Sequence, residues 1–185
     1  MKYTEFFARD SKVVSKQLLG MDLVRTFGGS EDKRATIAMA SAYNGEAGRP
    51  QKGLLYAPGE LYLPWFSGFR KLAIGSDKEN KPSVITIDAI VTPSGNVLTS
   101  SKICDYFRLG KNSDKELVVN YKKSAPSIYV IGESGNSIKE VDEKRASNCV
   151  GQWSLKVLDA LRGISPKGKT KKKEKLKLLQ KYMEA

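Results

Sequence analysis

Apolar and polar positions along this chain alternate in short blocks, with β-type spacing more common than helical spacing. Val13, Val14, Gln17 and Leu18 recur at helical intervals, which predicts a helix capped by Ser11 and stopped at Gly20. MDLVRTF (21–27) reads as a strand, with Gly28-Gly29 as a turn. RATIAMASA (34–42) is a second strand, followed by a loop over 44–53. ELYLPWF (60–66) is a third, and Pro64 puts part of it at an edge or a bulge. KLAIGS (71–76) and the β-branched PSVITIDAIVTP (82–93) extend the same pattern.

The period then changes. In SSKICDYFRLGK (100–111), Ile103, Cys104 and Phe107 fall on one face of a helix that Gly110 can end. SIYVIGES (127–134) reads as a short buried strand, residues 135–148 as a polar loop, and CVGQWSLKVLDALRG (149–163) returns to apolar spacing. No segment repeats another. The expected fold is α+β: a single antiparallel-strand-rich domain over residues 1–166, closed by Pro166, with a Lys-rich tail over 167–185. The tail can form a helix with Leu176, Leu179 and Met183 in one stripe.

Charge changes the picture more than composition does. Lysine and arginine exceed the acids by 12, a balance that favours a polyanionic partner, nucleic acid ahead of a membrane surface. The tail carries Lys167, Lys169, Lys171, Lys172, Lys173, Lys175, Lys177 and Lys181 against Glu174 and Glu184, so half the excess sits in a tenth of the chain. No stretch is apolar for long enough to span a membrane, and MKYTEFFARDSK lacks the apolar core of a secretory signal. Cys104 and Cys149 are too few for a disulfide framework and suit a reduced, intracellular compartment.

The chain has no histidine. That excludes Ser-His and Cys-His catalytic pairs and histidine-bearing zinc sites, so no metal and no cofactor is expected. Any chemistry must come from Asp, Glu, Lys, Tyr or Ser.

Several stretches, in order, resemble the alkyladenine (3-methyladenine) DNA glycosylase family. EFF (5–7) and QLLGMDLVR (17–25) are similar to its opening "EFF…LLG-x-x-LVR". IAMASAYNG (37–45) resembles "I-V-E-T-E-A-Y-x-G", and APGELYLPWFSG (57–68) resembles "K-P-G-T-L-Y-V-Y-x-x-Y-G". SSKICDYFRLGKN (100–112) is similar to the "G-P-x-K-L-x-x-A-L-G-I" helix, and VGQWSLKVLDALRG (150–163) to "G-E-W-A-x-K-P-x-R-F-Y-x-x-G". The resemblance covers residues 3–166 and implies a methylpurine-DNA-glycosylase type of domain. Such enzymes rotate a damaged nucleotide from the duplex, stack its base between aromatics and activate water with a carboxylate.

The departures fall on the positions that perform this reaction. Ser41 stands at the family's general-base glutamate and Met39 at the glutamate before it. Ser67 replaces the tyrosine that fills the gap left by the flipped nucleotide, Pro64 replaces one aromatic of the base sandwich, and Asp88 replaces an arginine. A serine hydroxyl is a poor base without a partner base. The resemblance therefore implies a retired active site, with no catalytic residue and with Ser41, Pro64, Ser67 and Asp88 as degenerate positions. Glu46 and Asp88 are the acids from which a divergent glycosylase, excising damaged purines, would draw a base.

Expected nucleic-acid contacts are Tyr43 and Tyr62, which also suit core packing; Arg49 and Lys52 in the loop; Arg70 and Lys71 in the aromatic-basic run YLPWFSGFRK; and the tail lysines. The loop is expected to carry specificity, because the Arg49 fork reads a base edge whereas flexible lysines read charge. The expected activity is non-catalytic binding of structured RNA in a ribosome-type particle, RNA before DNA, acting by occlusion as a dormancy factor does. The expected partners are ribosomal RNA and ribosomal proteins, with no membrane, and a monomer outside the particle. The expected location is cytoplasmic and ribosome-associated, with a nuclear one as the alternative.

Overall fold

A computed structural model describes residues 3–27, 32–44, 57–66, 69–76, 83–110, 113, 128–135, 137–141 and 149–158. Two short helices open the chain, α1 (Tyr3–Phe7) and α2 (Ser11–Leu18). The strands follow as β1 (Asp22–Arg25), β2 (Lys33–Asn44), β3 (Leu61–Tyr62), β4 (Trp65–Phe66), β5 (Phe69–Arg70), β6 (Leu72–Ser76), β7 (Ser83–Val91) and β8 (Val97–Thr99). Helix α3 (Ser101–Tyr106) precedes β9 (Ile128–Ile131), β10 (Ile138–Glu140) and β11 (Cys149–Leu155).

Among the described residues nine strands form one sheet with every pairing antiparallel: six follow the order β10-β11-β2-β7-β6-β3, β1 pairs with β2 and carries β9 on its other edge, and β8 pairs with β7. The two long strands are each shared by two shorter ones. Along one edge of β2, β1 pairs with residues 33–36 and β11 with residues 39–43, while β7 takes the other edge. Along β7, β6 pairs as far as Ile87 and β8 begins at Ala89. This splitting of partners accompanies a sheet curled into a half barrel, a single mostly antiparallel β domain with a few short helices. β4 and β5 make a separate two-stranded ribbon.

Local sequence explains most boundaries. The cap of α2 is Asp10 rather than the expected Ser11: its carboxylate accepts from the backbone nitrogens of Lys12 and Val13, and Ser11 is buried as the first helical residue. Gly20 ends the helix as expected, with φ at 89°. An added Cβ there would press on the Gly135 backbone nitrogen and lie 2.7 Å from its Cα. Glycine is therefore required twice over, by conformation and by the close approach of residues 134–135. Pro64 breaks the expected strand 60–66 into β3 and β4, and its carbonyl accepts from the Lys71 backbone nitrogen at 3.0 Å.

The interior is built from Leu18, Leu19, Leu23, Ile37, Leu61, Leu72, Ile74, Ile85, Ile87 and Ile90, together with Phe7 and Phe107. α2 packs on β2, β7 and β11, and the Lys16 ammonium lies 5.0 Å from the Trp153 ring centroid. Cys104 is buried in α3, as core packing predicts, and Cys149 is half-buried; neither is in a disulfide. Burial pushes the Cys104 thiol up to about 11, with Asp105 adding to the rise and Arg70 opposing it.

Several elements depart from expectation. Residues 135–148 are not wholly a loop, because Ile138–Glu140 form β10 against β11. β8 and α1 are also additional. The expected helix over 100–111 is shorter, ending at Tyr106, and Gly110 lies beyond it. The tail 167–185 and the domain boundary at Pro166 lie outside the described residues. Among the described residues no helix is long and apolar enough to cross a membrane.

Candidate functional site

Strand register alone gathers the candidate residues. Ser41 on β2 lies opposite Thr86 on β7 and opposite Gln152 on β11, and Thr86 lies opposite Ala73 on β6. Because successive side chains alternate between faces, Ser41, Tyr43, Thr86 and Gln152 share one face. Tyr62, paired with Ala73, joins them. Trp153 and Ala40, one position along, occupy the opposite face, over which α2 sits.

Asp88 reaches this face from an interrupted part of the ladder. Opposite it, β2 passes from a Met39↔Ala89 pair to an Ala40↔Ile87 pair, so Asp88 is the extra residue of a bulge. On its other side it falls between the end of β6 pairing and the start of β8 pairing. A bulge frees one residue from the ladder and re-aims its side chain. The Asp88 side chain retains 11% of its exposure.

The result is a closed polar cluster. Ser41, fully buried, donates its hydroxyl to Asp88 Oδ2 in a short hydrogen bond. Gln152 Nε2 donates to Ser41 Oγ at 2.8 Å and to Asp88 Oδ2 at 2.6 Å. Thr86 Oγ1 donates to Asp88 Oδ1 at 2.9 Å, and Lys71 Nζ stands 4.0 Å from the same oxygen. A carboxylate offers about four acceptor positions. Three hold hydroxyl or amide donors here and an ammonium faces the fourth.

This arrangement has clear chemical consequences. A carboxylate serving as general base must offer a lone pair to the proton it removes, at hydrogen-bond distance. For Asp88 that requires displacing Ser41, Gln152 or Thr86, or entering beside Lys71. Ser41 in turn has its proton committed to Asp88 and its oxygen occupied by Gln152. Among the described residues there is no group of His, Cys, Asp and Glu that could hold a metal ion.

The remaining candidates are dispersed. Tyr43 and Tyr62 are each half-buried on the cluster face. Arg70 is half-buried near α3, its Nη1 3.9 Å from where a Cβ on Gly110 would stand. Pro64 is buried between β3 and β4. Glu46, Arg49, Lys52, Ser67 and the tail lysines Lys167, Lys169, Lys171, Lys172, Lys173, Lys175 and Lys177 lie outside the described residues. Thr86 and Gln152 were not among the expected site residues, although Gln152 lies in the stretch VGQWSLKVLDALRG that carries the resemblance; their position within strands becomes meaningful only once the register is known.

No family model matches the chain, and no curated protein matches it in sequence.

Proposed function

We propose that this chain is a non-catalytic nucleic-acid-binding protein built on a degenerate glycosylase-like frame. The observation that carries the reading is the closed cluster: the residue at the resemblance's general-base position is a buried serine whose proton is already held by Asp88. The charge excess of 12, half of it in the tail, supports a polyanionic partner. Structured RNA in a ribosome-type particle, occluded by the bound domain in the manner of a dormancy factor, is the preferred target. The cytoplasm is then the site of action, with ribosomal proteins as neighbours.

Equilibrium competition tests the preference. A structured ribosomal RNA fragment is expected to displace a labelled RNA hairpin at lower concentration than a DNA duplex of equal length. A duplex that competes better contradicts the RNA reading.

One observation favours a second reading, excision of damaged purines. Asp88 places a carboxylate at the cluster's centre, in contact with the residue at the general-base position. Base release from a modified duplex, lost on Asp88→Asn, would establish that activity.

A further inference from the structure

Far from this cluster, cations and aromatic rings meet where α3 ends beside the β1–β2 hairpin. Arg25, the last residue of β1, pairs directly with Lys33, the first residue of β2. Opposed residues of an antiparallel pair share a face at close range, and like charges there repel. Arg25 is nevertheless buried, its Nη2 3.5 Å from Ser113 Oγ. Its guanidinium carbon stands 5.8 Å from the centroid of Phe27, and that of Arg108 stands 5.1 Å from the same ring. The Lys33 ammonium lies 5.4 Å from the centroid of Tyr106, whose hydroxyl donates to the Arg34 carbonyl at 2.8 Å and so ties α3 to β2.

Two features make this more than scattered surface charge. Arg108 is exposed yet has φ of 51°, a left-handed conformation that non-glycine residues seldom adopt. The aromatic rings hold the charged groups in place by cation–π contact, which reduces the ordering cost of binding. Among the described residues neither Lys33 nor Arg108 forms an ion pair, although the exposed acids Asp32 and Asp105 adjoin them in sequence or on α3. The Arg34–Asp22 pair lies on the other face of the hairpin.

We propose that Lys33 and Arg108, positioned by Tyr106 and Phe27 and reinforced by the field of Arg25, form a second nucleic-acid contact that takes the phosphate backbone of an RNA strand. This rests on the nucleic-acid reading above and adds a surface to it. β2 runs for 12 residues from Lys33 to Asn44, so this contact lies roughly 35 Å along the strand from the point where the 44–53 loop begins.

The test uses the full chain, a labelled RNA hairpin and a DNA duplex of equal length, with binding followed by anisotropy across a salt series. Lys33→Gln with Arg108→Gly removes both charges, and glycine at 108 suits the left-handed backbone. A control, Lys12→Gln with Lys156→Gln, removes the same charge from exposed positions elsewhere. Two lost phosphate contacts should lower the slope of log affinity against log salt by about 1.5. Affinity should fall at least fivefold, and by less than half that factor for the control. Equal losses in the two variants, or an unchanged slope, would overturn the site. If the duplex binds as well as the hairpin and the test variant weakens both, the phosphate contact stands and the RNA preference falls. Binding of neither polyanion would overturn both.

Discussion

At the scale of single residues, Asp88 sets the terms. Its carboxylate collects donors from β2, β7 and β11, so removing it takes one acceptor from each of Ser41, Thr86 and Gln152 at once and removes the charge that Lys71 faces. Asp88→Ala should lower the free energy of unfolding by about 2–3 kcal/mol, since several buried polar groups lose one partner at once. Ser41→Ala should cost only about 1 kcal/mol, because Gln152 still reaches Asp88. Urea denaturation read by Trp fluorescence checks both, and equal costs would contradict the central place given to Asp88. The same geometry governs attempts at restoring chemistry. Ser41→Glu would set a second carboxylate against Asp88 at a fully buried position, with like charges opposed. It is expected to destabilise the fold and to release no base from duplexes carrying 3-methyladenine, hypoxanthine or ethenoadenine under single-turnover conditions. Base release by the Ser41→Glu protein would show that the site lacks only its acid.

The elements show which signals are local and which depend on register. Pro64 announces its own break, and Gly20 its own helix end, because proline and glycine act through the backbone of their immediate neighbourhood. Asp10 and Ser11 are both good caps by type, so the choice between them depends on which adopts the non-helical backbone before the first turn. β10 is three residues in a polar segment and exists through pairing with β11, which leaves no periodicity to detect. Gln152 lies in a stretch that carries the resemblance, but nothing in CVGQWSL ties it to Ser41 until the register sets the two opposite. Ser41 and Asp88 were both legible as positions where the resemblance fails, but their bond across two strands was not. Gly20→Ala provides a test at this scale. The residue holds φ at 89° and packs against Gly135, so the change should cost at least about 2 kcal/mol and shift the urea midpoint without altering the slope. A loss within a few tenths would mean that the 134–135 approach is readily displaced.

For the whole molecule, charge matters most, and its largest block lies in residues 167–185. Deleting that tail removes up to eight ammonium groups able to displace counterions. If four of them contact phosphate, the salt slope should fall by about three for a single-stranded partner, and affinity near physiological salt should fall at least tenfold. An unchanged slope would remove the tail from the mechanism. Specificity is expected elsewhere: Arg49→Ala with Lys52→Ala should leave binding to random RNA nearly intact and cost the native partner about 2–4 kcal/mol. Equal losses on native and random RNA would reduce the loop to another patch of charge. The central proposal, that the chain binds RNA, is met most directly by purifying the protein from its own cells under native conditions and sequencing the nucleic acid that comes with it. Ribosomal RNA, enriched over its abundance in the lysate, is the predicted result; genomic DNA recovered without RNA would contradict it.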